Sequence, residues 1–249
     1  MSNSRTFLTA RWVDLAMLNF EVEPSVLEPL APAGTELDAF AGRTLLSVVG
    51  FRFLDTRVLG VPVPFHRCFD EVNLRFYVQR RTGGETLRGV TFVKEIVPRA
   101  AIAWVARYVY NENYVSLPME HEDEIAGDGS RRVAYRWAHG GRSHQLSVRV
   151  SGPPELPDEN SEEAFVTEHY WGYVRQRDGT TLEYRVEHPR WRVWRAFEAE
   201  LDCDVAALYG AELAPYLKGT PRSAFLVEGS AVAVRRGRTL ASPDDATPR

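Results

Sequence analysis

The sequence EVNLRFYVQ, which spans residues 71–79, alternates polar and apolar side chains without a break. Side chains along a β-strand point in turn to the two faces of the sheet, so this pattern predicts a strand with two different faces. One face carries the apolar residues Val72, Leu74, Phe76 and Val78. The other face carries Glu71, Asn73, Arg75 and Tyr77. We expect the first face to pack in a core and the second to meet either water or a polar cavity.

The segments around this strand predict antiparallel hairpins. Gly83-Gly84 predicts a turn into a second strand over 86–97, because glycine readily adopts the positive φ of tight hairpin turns. His139-Gly140-Gly141 separates two further alternating segments, 133–137 and 146–150. Strands do not alternate with long helices, so parallel βαβ units are not expected. The sequence predicts a mainly β (α+β) fold, a curved or closed antiparallel sheet with a few short peripheral helices.

Short helices are predicted at four places. The most helix-favouring segment is 98–110, which is rich in alanine. Pro24 suits the first turn of a shorter helix, since its missing N–H would be unpaired there. Ser161 is a typical N-cap residue for a third helix, and a fourth is predicted over 204–208. We expect these helices to pack outside the sheet.

The composition is that of an ordinary globular protein. The 249 residues carry 34 acidic and 30 basic side chains, a net charge of −4 without a basic stripe, so binding to nucleic acid is not expected. No apolar run approaches the ~20 residues that span a bilayer, so no membrane partner is expected. Two cysteines, Cys68 and Cys203, and a start without an apolar leader favour a cytoplasmic location. We predict a single β domain over 1–240 and a disordered tail over 241–249.

A series of segments, in matching order over nearly the whole chain, resembles a bacterial family known as a domain of unknown function. The segments are 22–51, 70–77 (DEVNLRFY), 89–92 (GVTF), 165–170 (FVTEHY) and 188–191 (HPRW). That family is similar in fold to acetoacetate decarboxylase. The resemblance implies an acetoacetate-decarboxylase-like β-barrel or cone with a central cavity, and it makes a homo-oligomer possible.

The resemblance also bears on chemistry, because acetoacetate decarboxylases use a lysine Schiff base beside a second lysine. Desolvation and the like charge keep such an amine neutral and nucleophilic. The matching positions here hold Tyr114 and Val115, neither of which is an amine. The family's glutamate falls at Glu71 and its N-terminal arginine near Arg11. We therefore expect no Schiff-base decarboxylation at this position.

The polar face of 71–79 is the first candidate site. Inside a cavity, Glu71, Asn73, Arg75 and Tyr77 would hold a polar small molecule. The alternatives are that this face meets water, or that Glu71 and Arg75 only pair with each other.

Further candidate residues lie outside this strand. Lys94 is expected to share a face with Val90, Phe92 and Ile96, where it would act as a nucleophile or else extend to water. His169 and His188 lie in the family-like segments, and together with Glu168 and Tyr170 they would either line the cavity or satisfy hydrogen bonds in the core. The six histidines show no metal-ligand spacing, so neither a metal nor another cofactor is predicted.

Three functions remain open at this point. In the first, the chain binds a small organic carboxylate or carbonyl ligand through Arg11, Asn73, Arg75, Tyr77, Lys94, Glu168 and His169. In the second, it is a lyase- or hydrolase-type enzyme with Glu71 and Tyr114 as acid and base. In the third, it acts through its outer surface. A buried Glu71 beside Arg75 and Tyr114 would favour the enzyme, and a dry apolar cavity would favour the binding protein.

Overall fold

The computed structural model describes residues 5–62, 66–98 and 113–240, and sixteen strands form most of these residues. The strands are β1 (Thr6–Glu21), β2 (Glu36–Leu37), β3 (Leu45–Val58), β4 (Val61–Pro62), β5 (Phe69–Thr82), β6 (Glu85–Val97), β7 (Tyr114–Ser116), β8 (Met119–Ile125), β9 (Arg131–His139), β10 (Arg142–Val150), β11 (Trp171–Arg175), β12 (Thr181–Glu187), β13 (Val193–Arg195), β14 (Glu198–Asp202), β15 (Ser223–Arg235) and β16 (Arg238–Leu240). The mainly β prediction is confirmed. The tail predicted over 241–249, and all but Pro98 of the helix predicted over 98–110, lie outside the described residues.

Short helices accompany the strands. They are the α-helices Pro24–Leu27, Glu162–Thr167 and Val205–Tyr209 and the 3₁₀ helix Glu28–Leu30. Ser161 caps its helix as expected, because its Oγ accepts a hydrogen bond from the Ala164 N–H at 3.1 Å. None of the helices in the described ranges is long and apolar enough to cross a membrane.

The strands form two sheets. In the larger sheet β15, β1, β3, β5, β6, β11 and β12 follow one another, and β12 also pairs with β15, so these seven strands close into a ring. The smaller sheet has the order β14-β10-β9-β8. Two pairings, β6 with β11 and β6 with β7, are parallel, an exception to the antiparallel arrangement that the hairpins predict.

The apolar face of β5 packs against the smaller sheet. Val72, Leu74, Phe76 and Val78 are all at most 1 % exposed and belong to one core cluster with Val133, Tyr135, Trp137, Leu146 and Val148. The sheets approach so closely at Gly50 that a Cβ there would lie 2.4 Å from the Tyr135 ring. The interface between the sheets is therefore fully packed, and it fixes the orientation of β5.

The opposite face of β5 contributes to a second apolar cluster. Its members include Leu15, Met17, Val49, Phe51, Tyr77, Trp191 and Val227. This second cluster is incompletely filled, and it surrounds the site described next.

Candidate functional site

A cavity of about 130 Å³ lies on the polar face of β5. Its lining comes from strands distributed around the ring and from the end of the helix Glu162–Thr167. Most of the lining is apolar, and its polar residues are concentrated on β5, β6 and β7. The lining includes two groups of residues. The polar cluster consists of Glu71, Asn73, Arg75, Glu95 and Tyr114, and the aromatic wall consists of Trp12, Phe51, Phe53, His188 and Trp191.

Strand β5 places three side chains of the polar cluster in the cavity. Glu71 is 4 % exposed and Asn73 is 2 % exposed, so the polar face does not meet bulk water. The Asn73 Nδ2 donates a hydrogen bond of 2.9 Å to Glu71 Oε1. Glu71, Asn73 and Arg75 line the cavity together because alternate residues of a strand point to the same side.

A β-bulge determines which residues of β6 reach the cavity. Leu74 pairs with Lys94 but Arg75 pairs with Phe92, so Val93 is an extra residue in β6. Beyond the bulge the side chains change faces: Glu95 pairs with Asn73 on the cavity side, and Lys94 pairs with Leu74 on the core side.

The expectation that Lys94 shares a face with Val90 and Phe92 is therefore wrong. Its Nζ donates to the carbonyl of Leu208 beside the other core. Lys218, the other lysine of the chain, is exposed. Neither amine lines the cavity.

Glu95 is a cavity residue that sequence reasoning missed. It is 2 % exposed and its Oε1 accepts a hydrogen bond of 2.8 Å from the Tyr114 hydroxyl. Parallel pairing of β6 with β7 puts Glu95 directly opposite Tyr114. A phenol held against a carboxylate can exchange protons with a neighbouring group, which is the requirement for acid–base chemistry. The only local signal was an acidic residue within the apolar run 92–97.

Arg75 is the cationic member of the polar cluster. One of its terminal nitrogens donates to the Val166 carbonyl at 3.1 Å, and the guanidinium lies 5.8 Å from the centre of the Tyr77 ring. Within the described part of the chain, the buried Arg75 Nε and Asn73 Oδ1 make no hydrogen bond. Buried polar atoms of folded proteins nearly always have partners, so two unpaired atoms in one cluster are an exception.

His169 also lines the cavity, but its ring nitrogens bond to protein atoms. Nδ1 donates to the Phe165 carbonyl at 2.6 Å, and Nε2 lies 2.9 Å from Asp38 Oδ2. Arg88 Nε donates to the same Asp38 oxygen at 2.6 Å. Burial would raise the pKa of Asp38, but the hydrogen bonds from His169 and Arg88 outweigh it and lower that pKa. Burial lowers the pKa of His169, against the opposing effect of Asp38. His169 therefore shapes the wall, and its nitrogens are already engaged.

Three other candidates lie outside the lining. Tyr77 is buried behind it and its hydroxyl bonds to Ser47 Oγ at 2.7 Å. Glu168 accepts a hydrogen bond of 2.6 Å from Arg190 Nε. Arg11 is exposed on β1. The structure thus brings together Glu71, Asn73, Arg75, Tyr114 and His169, and it places Arg11, Tyr77, Lys94 and Glu168 elsewhere.

The aromatic wall includes His188, for which the sequence left two roles open, and the structure places it in the lining of the cavity. The His188 ring stacks on Trp191, with centroids 3.7 Å apart and planes 10° from parallel. Its Nδ1 donates to the Pro189 carbonyl at 2.8 Å. Burial lowers the pKa of His188 to about 4, and the Arg75 cation adds to this effect. His188 is therefore neutral at neutral pH. Both rings belong to the segment HPRW, but the sequence did not predict that they stack on each other.

The described residues contain no group of three histidine, cysteine, aspartate or glutamate side chains that could hold a metal ion. The polar cluster itself supplies two carboxylates, a phenol and a guanidinium.

Comparison with known proteins gives one family. The profile of DUF2071, described as an uncharacterized conserved protein, matches residues 9–231. The uncharacterized protein YqjF of Bacillus subtilis (strain 168) is 28 % identical over 191 residues, which are 76 % of this chain and 76 % of that protein. These matches confirm the resemblance inferred from the sequence.

Solved structures show the same fold. The enduracididine biosynthesis enzyme MppR, complexed with pyruvate, superposes with a TM-score of 0.65 at 13 % identity, over 97 % of this chain and 93 % of that one. An acetoacetate decarboxylase from Legionella pneumophila superposes with a TM-score of 0.62 at 12 % identity, over 98 % and 91 %. At these identities the comparison establishes an acetoacetate-decarboxylase-like fold and nothing about activity.

Proposed function

Since the chain belongs to the DUF2071 family and has an acetoacetate-decarboxylase-like fold, we propose that it binds a small organic ligand with a carboxylate or carbonyl group. The observation that carries the proposal is the cavity itself, which is mainly apolar and has one cluster of buried polar groups. Ligand sites commonly combine an apolar lining with a few polar groups that fix orientation. The polar end of the ligand would lie at Arg75 and Asn73, and its apolar part against the aromatic wall.

The polar cluster favours a group that accepts hydrogen bonds. Arg75 has only donors, and its Nε has no partner among the residues described. A carboxylate or carbonyl oxygen satisfies such a donor, and a guanidinium can hold a carboxylate through two bonds. MppR, which shares the fold, is described as complexed with pyruvate, a small keto acid of this class. Pyruvate is therefore a suitable first probe.

The chemistry is proposed to proceed without a Schiff base. The whole sequence contains two lysines, Lys94 and Lys218, and neither lines the cavity. Borohydride reduction in the presence of pyruvate or acetoacetate should therefore leave the mass of the protein unchanged. A reduced adduct on either lysine would contradict this proposal.

A second candidate is an enzyme that moves protons through Glu71 and Tyr114. Two observations favour it: Glu71 is buried and held by Asn73, and the Tyr114 hydroxyl is bonded to Glu95. In this role, the Glu71 carboxylate takes a proton from the carbon beside a bound carbonyl. As negative charge develops on the carbonyl oxygen, the Tyr114 hydroxyl turns its one proton from Glu95 to that oxygen and stabilises the enolate by a hydrogen bond. Return of a proton from Glu71 to the carbon regenerates the carbonyl compound.

A thermal-shift screen tests binding, with pyruvate, acetoacetate and small aldehydes as probes. A probe at ~100 times its dissociation constant stabilises the folded state by ~2.7 kcal/mol, which is readily measured. We expect Arg75→Gln to lose this stabilisation. Arg11→Gln is the matched control, because Arg11 is exposed outside the cavity. If no probe binds, the proposal fails and an action through the outer surface becomes the better hypothesis.

Proton exchange tests the enzyme. When pyruvate is incubated with the protein in deuterium oxide, deuterons should replace its methyl protons. The loss of the methyl proton signal is followed by NMR. Glu71→Gln and Tyr114→Phe should lower the exchange rate while the probe still binds. Binding without exchange in the native protein would leave the binding function and remove the enzymatic one.

A further inference from the structure

Trp12 brings a hydrogen-bond donor to the aromatic wall. Its ring contacts Phe51 and Phe53 edge to face, with centroids 5.3 Å and 5.6 Å away. The indole Nε1 is buried and donates to no atom in the described part of the chain. An indole N–H can only donate, so it needs an acceptor that the surrounding phenyl rings do not supply.

His188 brings an acceptor to the same wall. A carbonyl oxygen only accepts hydrogen bonds, so the contact with Pro189 requires the proton to be on Nδ1. The neutral ring then has a lone pair on Nε2, and no described residue donates to that atom. Stacking on Trp191 fixes the plane of the ring.

Trp191 lies beside both residues. The His188 ring stacks on it, and the Trp12 ring lies 6.5 Å from it between centroids. The indole N–H of Trp191 is already bonded to Ser230 Oγ at 2.8 Å, so it does not compete for a ligand. Trp12, with its unpaired donor, and His188, with its unpaired acceptor, both line the cavity and both lie beside Trp191.

We propose that the aromatic wall recognises a hydroxyl group of the ligand, whose oxygen accepts from Trp12 Nε1 and whose hydrogen is donated to His188 Nε2. A carbonyl oxygen satisfies only Trp12, and an ammonium group satisfies only His188. The inference rests on the proposed function and narrows it to hydroxylated organic acids or carbonyl compounds. The volume of about 130 Å³ is similar to the ~150 Å³ of an engineered cavity that holds one benzene molecule, so the ligand is small.

Calorimetric titration with two matched pairs of probes tests the inference. The pairs are lactate with propionate and 3-hydroxybutyrate with butyrate, which differ only in the hydroxyl group. At least one hydroxylated probe should bind the native protein about ten-fold more tightly than its partner, because the partner leaves both wall groups unpaired.

Variants assign the difference to the two residues. Trp12→Phe and His188→Phe keep an aromatic ring but lack the donor and the acceptor, and each should reduce the preference to less than about two-fold. His188→Gln keeps an acceptor oxygen and should preserve the preference. His139→Phe is the control, since His139 lies in the β9–β10 hairpin of the smaller sheet.

The outcomes separate the two proposals. If none of the four probes and no keto acid binds, the proposed function fails. If both members of each pair bind equally, the proposed function stands and the hydroxyl inference is overturned. A preference that persists in both phenylalanine variants also overturns it.

If a variant does not fold, nitrogen NMR of His188 in the native protein tests the same inference. The Nε2 signal should be that of an unprotonated nitrogen and should move with a hydroxylated probe but not with its partner. A protonated Nε2 would overturn the inference.

Discussion

The two faces of β5 serve opposite purposes, although they belong to the same fourteen residues. The face with Leu74 is packed against the smaller sheet, and the approach at Gly50 leaves no room for another atom. The face with Asn73 is also largely buried, yet it carries polar groups and borders a cavity. A filled apolar face stabilises a fold, whereas buried polar groups beside a cavity contribute little to stability. The second face therefore points to a function other than stability.

The largest difference between the two faces should appear when one side chain is removed from each. Leu74→Ala should lower the free energy of unfolding by about 3–4 kcal/mol, because it opens a hole in a filled core. Asn73→Ala should cost only about 1 kcal/mol, since it removes one hydrogen bond beside an existing cavity. Urea denaturation of both variants measures the difference. Equal losses would show that the polar face contributes as much to stability as the apolar one.

Acid should lower the free energy of unfolding, because His188 is partly buried beside the cavity in its neutral form. Its folded pKa of about 4 lies below the ordinary value of 6.5, so the unfolded chain binds the proton first as the pH falls. The stabilising contribution is complete at neutral pH and is lost between about pH 6.5 and pH 4. We expect a loss of about 2 kcal/mol, less than the full shift implies because the ring is partly exposed to water.

Denaturation of the native protein and of His188→Phe at pH 7 and pH 4.5 isolates this effect. The difference between the two pH values should be about 2 kcal/mol larger in the native protein. Other titrating groups, including Asp38 and His169, contribute equally to both proteins and cancel. The same pH dependence in the two proteins would mean that His188 is not held neutral.

The alternation of 71–79 was enough to predict β5 and its two faces, because a strand reverses its side chains at every residue. The bulge at Val93 could not be predicted, since no glycine or proline marks it. That single residue moved Lys94 out of the cavity and brought Glu95 in. The contact between His169 and Asp38 joins residues 131 positions apart, and no local pattern reports such a distance.

Two neighbouring valines on β3 allow the filled core and the cavity to be compared with the same substitution. Val48 belongs to the filled core cluster, and Val49 lines the cavity. Val48→Ala should cost about 2.5 kcal/mol and Val49→Ala about 1.5 kcal/mol, because the surroundings of Val49 are already incompletely packed. Thermal or urea unfolding of the two variants measures a difference of about 1 kcal/mol. A larger loss at Val49 would show that the cavity is closed in solution.

The smallest effect on stability should come from filling the cavity instead of enlarging it. Val49→Leu adds a methylene group toward the open space, and we expect unfolding to change by no more than about 0.5 kcal/mol. Val48→Leu, the same change on the other face, should cost about 1–3 kcal/mol because the core there has no space.

Binding of pyruvate should be lost in Val49→Leu and kept in Val48→Leu wherever that variant is folded. If Val49→Leu still binds, the ligand occupies another site. If it binds no probe but keeps its stability, the polar face is maintained for the ligand and the apolar face for the fold.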